Sequence, residues 1–286
     1  MLIQRLTIIG VGLIGGSLAR ALKRVGACGE VIGCGRNKAN LQHAIELGVI
    51  DRYDIDPARA VKDADMVVVA VPLGSMADLF ATIREALSPE AIITDVGSAK
   101  ASVVADAQQH LGQHFSRFVP GHPIAGTEKS GVEASFAELF ENRRVILTPL
   151  AETLMAAHTK VKTLWTQTGA DVVSMSVKHH DEVLAATSHL PHLLAYNLVF
   201  TLAKMEDRIE IFRFAAGGFR DFTRIASSDP CMWHDICLAN REAILQALNQ
   251  FNLDLNQLAD AISKGNSQEI ENIFTNAKTA RDKFLG

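Results

Sequence analysis

The sequence has few cysteines, no excess of basic residues and no long apolar run, and each shortage excludes a class of protein. Its 4 cysteines form no CxxC pair and are too few among 286 residues for a disulfide framework. With 28 basic and 32 acidic residues, the net charge of -4 argues against a nucleic-acid binder. The longest charge-free apolar stretch near the start, residues 6–19, is shorter than the ~18 residues of a membrane span. We therefore expect a soluble, cytoplasmic protein with neither nucleic-acid nor membrane partners.

The composition is that of a globular protein with two domains. Hydrophobic residues make up 48% of the chain and charged residues 21%, which is enough apolar material for a sizeable core. A length of 286 residues predicts two domains at ~150 residues each. The patterning changes near residue 176, so we place the domains at residues 1–176 and 177–286.

The N-terminal half alternates strand-like and helix-like patterns. Short β-branched or apolar runs occur at residues 3–9, 30–34, 66–71, 91–95 and 144–148. Helical spacing lies between them, near residues 13–22, 39–47, 76–87, 100–111 and 153–168. This alternation predicts an α/β domain with a doubly wound, mainly parallel sheet and right-handed crossovers.

The C-terminal part shows only helical patterns. Residues 178–205 predict one long helix that Pro191 kinks, because its ring frees the carbonyl of Thr187. Asp229 and Pro230 predict a helix start as N-cap and first helical residue. Helices this apolar need a cover for their exposed faces, which favours a homodimer over a monomer. We therefore predict an all-helical C-terminal domain that binds substrate and dimerises.

A GxGxxG turn lies between the first predicted strand and the first predicted helix. In this context Gly10 permits a tight turn, Gly12 lets the backbone approach a pyrophosphate, and Gly15 allows close helix–strand packing. The N–H groups at the helix start, at Leu13 and Ile14, can then hold phosphates. The turn predicts a Rossmann-like dinucleotide site, and a glycine-rich turn without a ligand is the alternative.

The residues after the second predicted strand favour NADP over NAD. An NAD site normally has an acid ~20 residues beyond the glycine fingerprint, which corresponds to Gly35. Residues 33–38 read GCGRNK and contain no carboxylate, and Arg36 stands beside Asn37 where a 2′-phosphate needs a guanidinium. Use of both cofactors stays open, and Arg36 could instead stack on adenine or point to solvent.

Polar segments follow three predicted strands, at the edge where parallel sheets bind ligands. They comprise Val71, Pro72 and Leu73; Val96, Gly97 and Ser98; and residues 121–128, which include His122, Thr127 and Glu128. We expect the first two segments to contact the cofactor. An enzyme that oxidises an alcohol needs a base for the hydroxyl proton, and histidine suits neutral pH. His122 is the best-placed candidate, with an ordinary surface histidine as the alternative.

A second polar group lies in the predicted helical domain. His189 and His192 have the spacing of a metal pair, but no further ligand motif accompanies them, so we predict no metal site. Substrate contact is the favoured role, and helix histidines with only structural contacts are the alternative. Arg220 and Arg224 are candidates for binding a substrate carboxylate, or for an interdomain ion pair.

Taken together, five motifs resemble those of the prephenate/arogenate (cyclohexadienyl) dehydrogenase family. They are GVGLIGGS at 10–17, DVGSAK at 95–100, GHPIAGTEKSG at 121–131, SHLPHLLAY at 188–196 and GGFRDFTRIASSDPCMW at 217–233. The resemblance extends over nearly the whole chain in the family's order, and the last three motifs are specific to it. No segment resembling chorismate mutase precedes residue 1, so we expect the monofunctional form.

The resemblance implies an activity in tyrosine biosynthesis. The reaction is oxidative decarboxylation of prephenate to 4-hydroxyphenylpyruvate and CO2, or of arogenate to tyrosine and CO2, with hydride transfer to NAD(P)+. His122 matches the histidine that accepts the proton of the ring hydroxyl, and Ser98 matches the serine that orients it. The choice between the two substrates, and feedback inhibition by tyrosine, stay open.

The resemblance also assigns substrate contacts. Arg224 matches an arginine that binds a substrate carboxylate, and His192 matches a histidine near the substrate side chain, a role that His189 is close enough to contest. Thr127 and Glu128 resemble the loop that lines the pocket. Two alternatives remain: another Rossmann dehydrogenase of the β-hydroxyacid type, and a non-catalytic NADP-binding sensor.

Overall fold

The computed structural model describes residues 1–127 and 129–285. Its strands are β1 Ile3–Ile9, β2 Cys28–Cys34, β3 Arg52–Asp54, β4 Met66–Val69, β5 Ile92–Asp95, β6 Phe118–Val119, β7 Gly121–Pro123, β8 Arg144–Leu147 and β9 Asp171–Ser174. Its helices are α1 Leu13–Arg24, α2 Lys38–Glu46, α3 Pro57–Ala60, α4 Met76–Ile83, α5 Ala101–His110, α6 Met155–Gln167, α7 Val177–Leu184, α8 Leu190–Ala203, α9 Arg208–Arg213, α10 Gly217–Thr223, α11 Pro230–Ala239, α12 Arg241–Ser263 and α13 Ser267–Leu285.

The main sheet is parallel and doubly wound, which confirms the predicted fold class. Its six strands have the order β3-β2-β1-β4-β5-β6, the arrangement typical of dinucleotide-binding folds. All of β4 is buried, and its successive side chains point to opposite faces of the sheet. Met66 and Val68 accordingly pack in one hydrophobic cluster, and Val67 and Val69 pack in the other. A central strand covered on both faces explains why this segment is apolar throughout.

The predicted strand at 144–148 exists, but it lies in a second sheet. Here β7 pairs antiparallel with β8, which pairs parallel with β9. The chain leaves the main sheet at Pro120, between β6 and β7, because proline has no N–H to donate to a strand partner. The sequence patterns predict neither β7 nor the short strands β3, β6 and β9, which have only two to four residues each.

The long helix predicted around Pro191 is interrupted in a specific way. Between α7 and α8 the backbone forms a π-helical turn over residues 185–189, immediately before the turn that contains Pro191. A π turn has one extra residue, and this extra residue accommodates the missing N–H and the bulk of the proline ring without ending the helix.

After Pro230, helical spacing of Trp233, Cys237, Ile244, Leu248 and Phe251 predicts one helix, but the structure divides this stretch between α11 and α12. Asp229 caps α11 as predicted, with its carboxylate accepting a hydrogen bond from the N–H of Cys231 at 2.7 Å. The helix ends at Ala239 with Asn240 as its C-cap, and α12 starts at Arg241 and runs to Ser263. Gly265, which comes soon after Ser263, predicts a helix stop, and in the structure it has a φ of 62°.

The chain forms two compact units, Met1–Arg241 and a second unit from Glu242 onward. The second unit consists of α12 from its second residue and α13. It exposes large apolar side chains, among them Leu253, Leu255, Ile262 and Phe274. Among the described residues, no helix is both long and apolar enough to cross a membrane.

Gly10 is required by the geometry of the glycine turn. Its φ is 102°, and an added Cβ would lie 2.1 Å from the carbonyl oxygen of Ala70 on the neighbouring strand end. We predict that Gly10→Ala lowers the free energy of unfolding by about 2 kcal/mol or more, because it adds both backbone strain and a steric clash. Urea unfolding followed by circular dichroism measures this change.

Gly12→Ala is the matched control, since an added Cβ there meets nothing within 4 Å. Its free energy of unfolding should stay within about 0.5 kcal/mol of the unmodified protein. Equal stability of the two variants would contradict the strain assigned to Gly10.

Candidate active site

A buried ion pair joins the end of β5 to the start of β7. The Lys100 ammonium pairs with the Asp95 carboxylate and donates a 2.6 Å hydrogen bond to the Gly121 carbonyl oxygen. Asp95 also accepts the N–H groups of Gly97 at 2.7 Å and Gly121 at 3.1 Å. Because both charges are fully buried, these hydrogen bonds are needed to offset their loss of hydration. The network fixes the backbone immediately before His122.

His122 lies in the middle of β7, opposite Ile146 of β8, and is only 8% exposed. Its Nδ1 lies 2.8 Å from Nε2 of His180 on α7. Within the described residues, the other ring nitrogen, Nε2, makes no hydrogen bond. His122 also lines a cleft, so this second nitrogen is the one available to a ligand.

His180 connects His122 to a buried carboxylate. Nδ1 of His180 lies 2.7 Å from Oδ1 of Asp181, and His180 is fully buried. Asp181 in turn accepts the backbone N–H groups of Lys100 and Ala101, each at 2.8 Å, at the N-terminus of α5. A helix N-terminus favours a negative charge. The result is a continuous chain of hydrogen bonds from the cleft to an anion on α7.

The surroundings set the protonation states of this chain. Burial, followed by the proximity of His180 and Lys100, lowers the pKa of His122 well below its usual range. Burial opposes ionisation of Asp181, but the hydrogen bonds from His180 and from two backbone N–H groups hold its pKa below the ordinary value. At neutral pH the site therefore contains a neutral His122 and an ionised Asp181.

The cleft beside His122 has a volume of about 770 Å³. It is lined by residues 122–127, Phe136, Glu138, Leu139, Glu141, Arg143, Leu184, Thr187, Ser188 and His192. The ring of His192 stacks on Trp233 at 3.9 Å between centroids, and its Nδ1 lies 2.9 Å from the Ser188 carbonyl oxygen. Stacking and hydrogen bonding orient His192 at the wall of a cleft that also contains His122.

His189 has a different environment from His192. It is 1% exposed, its ring meets Trp233 edge-on, and its Nδ1 lies 3.1 Å from the Asn240 side-chain nitrogen. Burial lowers the pKa of His189 to about 4, so it is neutral.

The described residues contain no cluster of three or more potential metal ligands.

The glycine turn has the features that a dinucleotide requires. Gly12 begins α1 without a side-chain cap, and the first turn of this helix contains no acidic residue that would repel a phosphate. The space beside Gly12 is open, whereas a Cβ on Gly15 would lie 2.2 Å from the Gly10 carbonyl oxygen. Asn40 donates a 3.0 Å hydrogen bond to the Val11 carbonyl oxygen and so holds the turn from α2. An open cradle beside uncapped N–H groups fits a pyrophosphate.

The other predicted cofactor residues lie at the carboxyl ends of the strands. Arg36 is exposed after β2, while Asn37 caps α2 by accepting the N–H of Asn40 at 3.1 Å. Val71, Pro72 and Leu73 follow β4, and Val96, Gly97 and Ser98 follow β5. Ser98 makes no hydrogen bond to another described residue.

The remaining predicted substrate residues are distributed over two regions. Thr127 lines the cleft, and its hydroxyl accepts the N–H of Lys129 at 3.2 Å. Glu128 lies outside the described residues. Arg220 on α10 and Arg224 in the following 3₁₀ turn are exposed, and this segment contacts α8, the helix of His192.

Sequence reasoning missed part of the site. The sequence places His180 in a histidine group on the first helix of the second domain and makes Asp181 a candidate substrate contact, but it does not predict their contact with His122. Asn240 gave no signal, because it lies within an apolar helical pattern. In the structure it is buried and donates a 2.9 Å hydrogen bond to the Asp181 carbonyl oxygen, which links α11 to α7. Two helices distant in sequence thus meet behind His122.

Two family models match the chain. Residues 18–174 match the nucleotide-binding domain of prephenate dehydrogenase, and residues 176–276 match its dimerization domain.

Characterised relatives match almost the whole chain. Cyclohexadienyl dehydrogenase of Zymomonas mobilis is 40% identical over 282 residues, covering 97% of this chain and 95% of the relative. Prephenate dehydrogenase of Bacillus subtilis is 40% identical over 275 residues, covering 96% of this chain and 73% of the relative. The crystal structure of prephenate dehydrogenase from Aquifex aeolicus, in complex with hydroxyphenyl propionate and NAD+, aligns with a TM-score of 0.91 at 39% identity and covers 98% of each chain. The chain therefore belongs to the prephenate dehydrogenase family of oxidoreductases, as its motifs predicted.

Proposed function

We propose that this protein oxidatively decarboxylates prephenate or arogenate with NAD(P)+, in the biosynthesis of tyrosine. The observation that carries the proposal is a neutral His122 at the wall of a cleft, with Nδ1 engaged by His180 and Nε2 left for a substrate. The family and its named relatives support the same reaction. No observation favours the alternative β-hydroxyacid dehydrogenase or the non-catalytic sensor.

The chemistry places a specific demand on His122. The glycine turn would hold the pyrophosphate of the dinucleotide, which would supply the acceptor for the hydride on the ring carbon bearing the hydroxyl. His122 Nε2 accepts the hydroxyl proton as the ring oxygen gains carbonyl character. The bond between the ring and its carboxylate then breaks, CO2 departs, and the electron pair makes the ring aromatic. The ring oxygen regains its proton from His122, so protons balance over the cycle.

The substrate contacts follow from the residues around the cleft. We assign His192 rather than His189 to the substrate side chain, since His192 lines the cleft and Asn240 occupies Nδ1 of the buried His189. Arg224, with Arg220 as the alternative, is the proposed carboxylate contact. Ser98, Thr127 and Glu128 complete the proposed substrate site.

NADP is the cofactor that the chain favours. Arg36 follows β2 with no carboxylate beside it in the sequence, which suits a 2′-phosphate. On the neighbouring strand, Asp54 is in register with Cys34, and its carboxylate accepts two 2.9 Å hydrogen bonds from Arg59. Because Arg59 donates to both carboxylate oxygens of Asp54, Asp54 is a poor substitute for the ribose-binding acid of an NAD site. Use of both cofactors is compatible with the same residues.

The helical part of the chain is proposed to form a homodimer. The match of residues 176–276 to a dimerization domain supports this, as do the apolar side chains exposed on α12 and α13. In this proposal, residues 1–176 bind the dinucleotide, and residues 177–286 bind substrate and dimerise. A cytoplasmic location stays a prediction.

The reaction and both specificities are tested by four assays with purified protein, which pair prephenate or arogenate with NAD+ or NADP+. We expect turnover, measured by the absorbance of the reduced cofactor, with NADP+ as the better acceptor. Arg36→Asp should lower the ratio of kcat/KM for NADP+ over NAD+ by at least about tenfold, because it replaces a charged phosphate contact with repulsion.

The matched control for Arg36→Asp is Lys38→Asp, the same charge change two residues away, which should alter the ratio much less. An unchanged ratio in Arg36→Asp would remove Arg36 from cofactor selection. No turnover in any of the four assays, from folded protein that binds cofactor, would overturn the proposed function.

His122→Asn should lower kcat by about 10²- to 10⁴-fold with little change in substrate affinity, because it removes the general base but keeps a polar side chain. Steady-state kinetics give kcat, and substrate binding at equilibrium gives the affinity. His179→Asn, at an exposed position on the same helix as His180, is the control and should behave like the unmodified enzyme. Near-normal turnover of His122→Asn would exclude His122 as the base.

The lowered pKa of His122 predicts an unusual pH profile. A histidine with a depressed pKa keeps its basic form at all pH values above that pKa, and loses it only as the pH falls through it. We expect kcat/KM to stay level between about pH 8 and pH 6 and to fall only below, although an ordinary histidine is half protonated at ~6.5. An acid limb at or above pH ~6.5 would contradict this environment.

A further inference from the structure

The hydrogen bonds behind His122 fix which of its two nitrogens carries the proton. Asp181 is ionised, so its carboxylate only accepts hydrogen bonds. Nδ1 of His180, at 2.7 Å from this carboxylate, must therefore carry a proton and donate it. With its ring proton on Nδ1, the fully buried His180 presents the lone pair of Nε2 as an acceptor.

The same donor–acceptor argument applies to the hydrogen bond between His180 and His122. Its Nδ1 lies 2.8 Å from the accepting Nε2 of His180, so Nδ1 of His122 carries the proton. The Nε2 atom of neutral His122 is therefore the basic nitrogen. The opposite tautomer would place two lone pairs against each other between the rings and a proton on the nitrogen that meets the substrate.

We propose that His180 and Asp181 are positioning residues that hold His122 in its Nδ1–H tautomer, so that its basic nitrogen faces the cleft. The proposal rests on the proposed function for its kinetic consequences, but the tautomer itself is independent of it. In a catalytic triad a carboxylate sets the tautomer of the histidine base. The arrangement here is similar, except that the imidazole of His180 lies between the carboxylate and the base.

The pair also stabilises the charge that catalysis creates. When His122 accepts a proton, it becomes an imidazolium whose Nδ1–H still donates to His180. If this proton moves to Nε2 of His180, the positive charge lies directly beside the Asp181 carboxylate. His122 then carries its one proton on Nε2, and the reverse transfer restores the original state. Every proton remains within the three side chains and the substrate.

Two further contacts keep the pair in place. Asp181 accepts two N–H groups at the N-terminus of α5, and its own carbonyl oxygen accepts a hydrogen bond from Asn240. His180 packs edge-on against His122, with 5.1 Å between the ring centroids. Neither His180 nor Asp181 is among the described residues that line the cleft. Contact with a substrate therefore does not explain why these two residues are buried.

Two substitutions of His180 separate the roles of its nitrogens. In His180→Asn the short amide can replace Nδ1 beside Asp181 but leaves Nδ1 of His122 without its acceptor. In His180→Gln the amide oxygen reaches further and can replace Nε2 as that acceptor. We expect kcat to fall about 10²-fold in His180→Asn, with substrate KM and cofactor Kd within about twofold, and to recover most of this loss in His180→Gln.

The tautomer is measured directly by two-bond ¹H–¹⁵N correlation spectra of protein labelled at histidine nitrogen. His122, assigned through the loss of its signals in His122→Asn, should show the Nδ1–H pattern in the unmodified protein and a mixture or the Nε2–H pattern in His180→Asn. His179→Asn is the control and should change neither the spectrum of His122 nor kcat.

The outcomes are distinct. An Nε2–H pattern in the unmodified protein, or a His180→Asn variant with kcat within threefold of normal, would overturn the proposal. The Nδ1–H pattern without turnover on any substrate would leave the positioning role standing and reject the proposed function. If His180→Asn fails to fold by circular dichroism, the spectrum of the unmodified protein and the kinetics of His180→Gln decide the question.

Discussion

The whole site depends on a buried charge pair at the point where the chain leaves its main sheet. Lys100 and Asp95 are both excluded from water, and desolvated charges of this kind are stable only when their hydrogen bonds are satisfied. The available partners are the backbone groups of Gly97 and Gly121, so the pair holds the loop after β5 against the start of β7. Removing either charge would leave the other buried and unpaired. Because His122 directly follows Gly121, its position depends on this pair.

A second buried anion, Asp181, holds helices together, as the Lys100–Asp95 pair holds the ends of the strands together. Asp181 belongs to α7, yet it accepts hydrogen bonds from the first N–H groups of α5, and Asn240 holds it from the end of α11. Burial alone would push Asp181 towards its neutral form, and the donors around it reverse that tendency. The same burial keeps His122 neutral. One set of contacts therefore orders three helices and supplies an ionised acceptor, which His180 connects to the basic imidazole of His122.

The two histidines of the SHLPH segment show how burial divides roles between similar residues. His189 and His192 are three residues apart on one stretch of helix, and both contact Trp233. The edge-on contact buries His189, whose Nδ1 lies beside Asn240, while the stacked contact leaves His192 at the cleft. The π turn over residues 185–189 precedes Pro191 and allows the helix to continue through the proline to His192.

The sequence alone determined the parallel sheet, the glycine turn, the family and the candidacy of His122. These features are local, because strand patterning, turn glycines and helix caps depend on residues within a few positions of one another. Only the tertiary structure decided that β8 belongs to a second sheet, that Asn240 interrupts a helix, and that His180 and Asp181 lie behind His122. Each of these depends on residues that are far apart in sequence, 58 positions in the case of His122 and His180. Hydrogen bonds between such residues leave no periodic signal, since either partner taken alone resembles an ordinary polar residue.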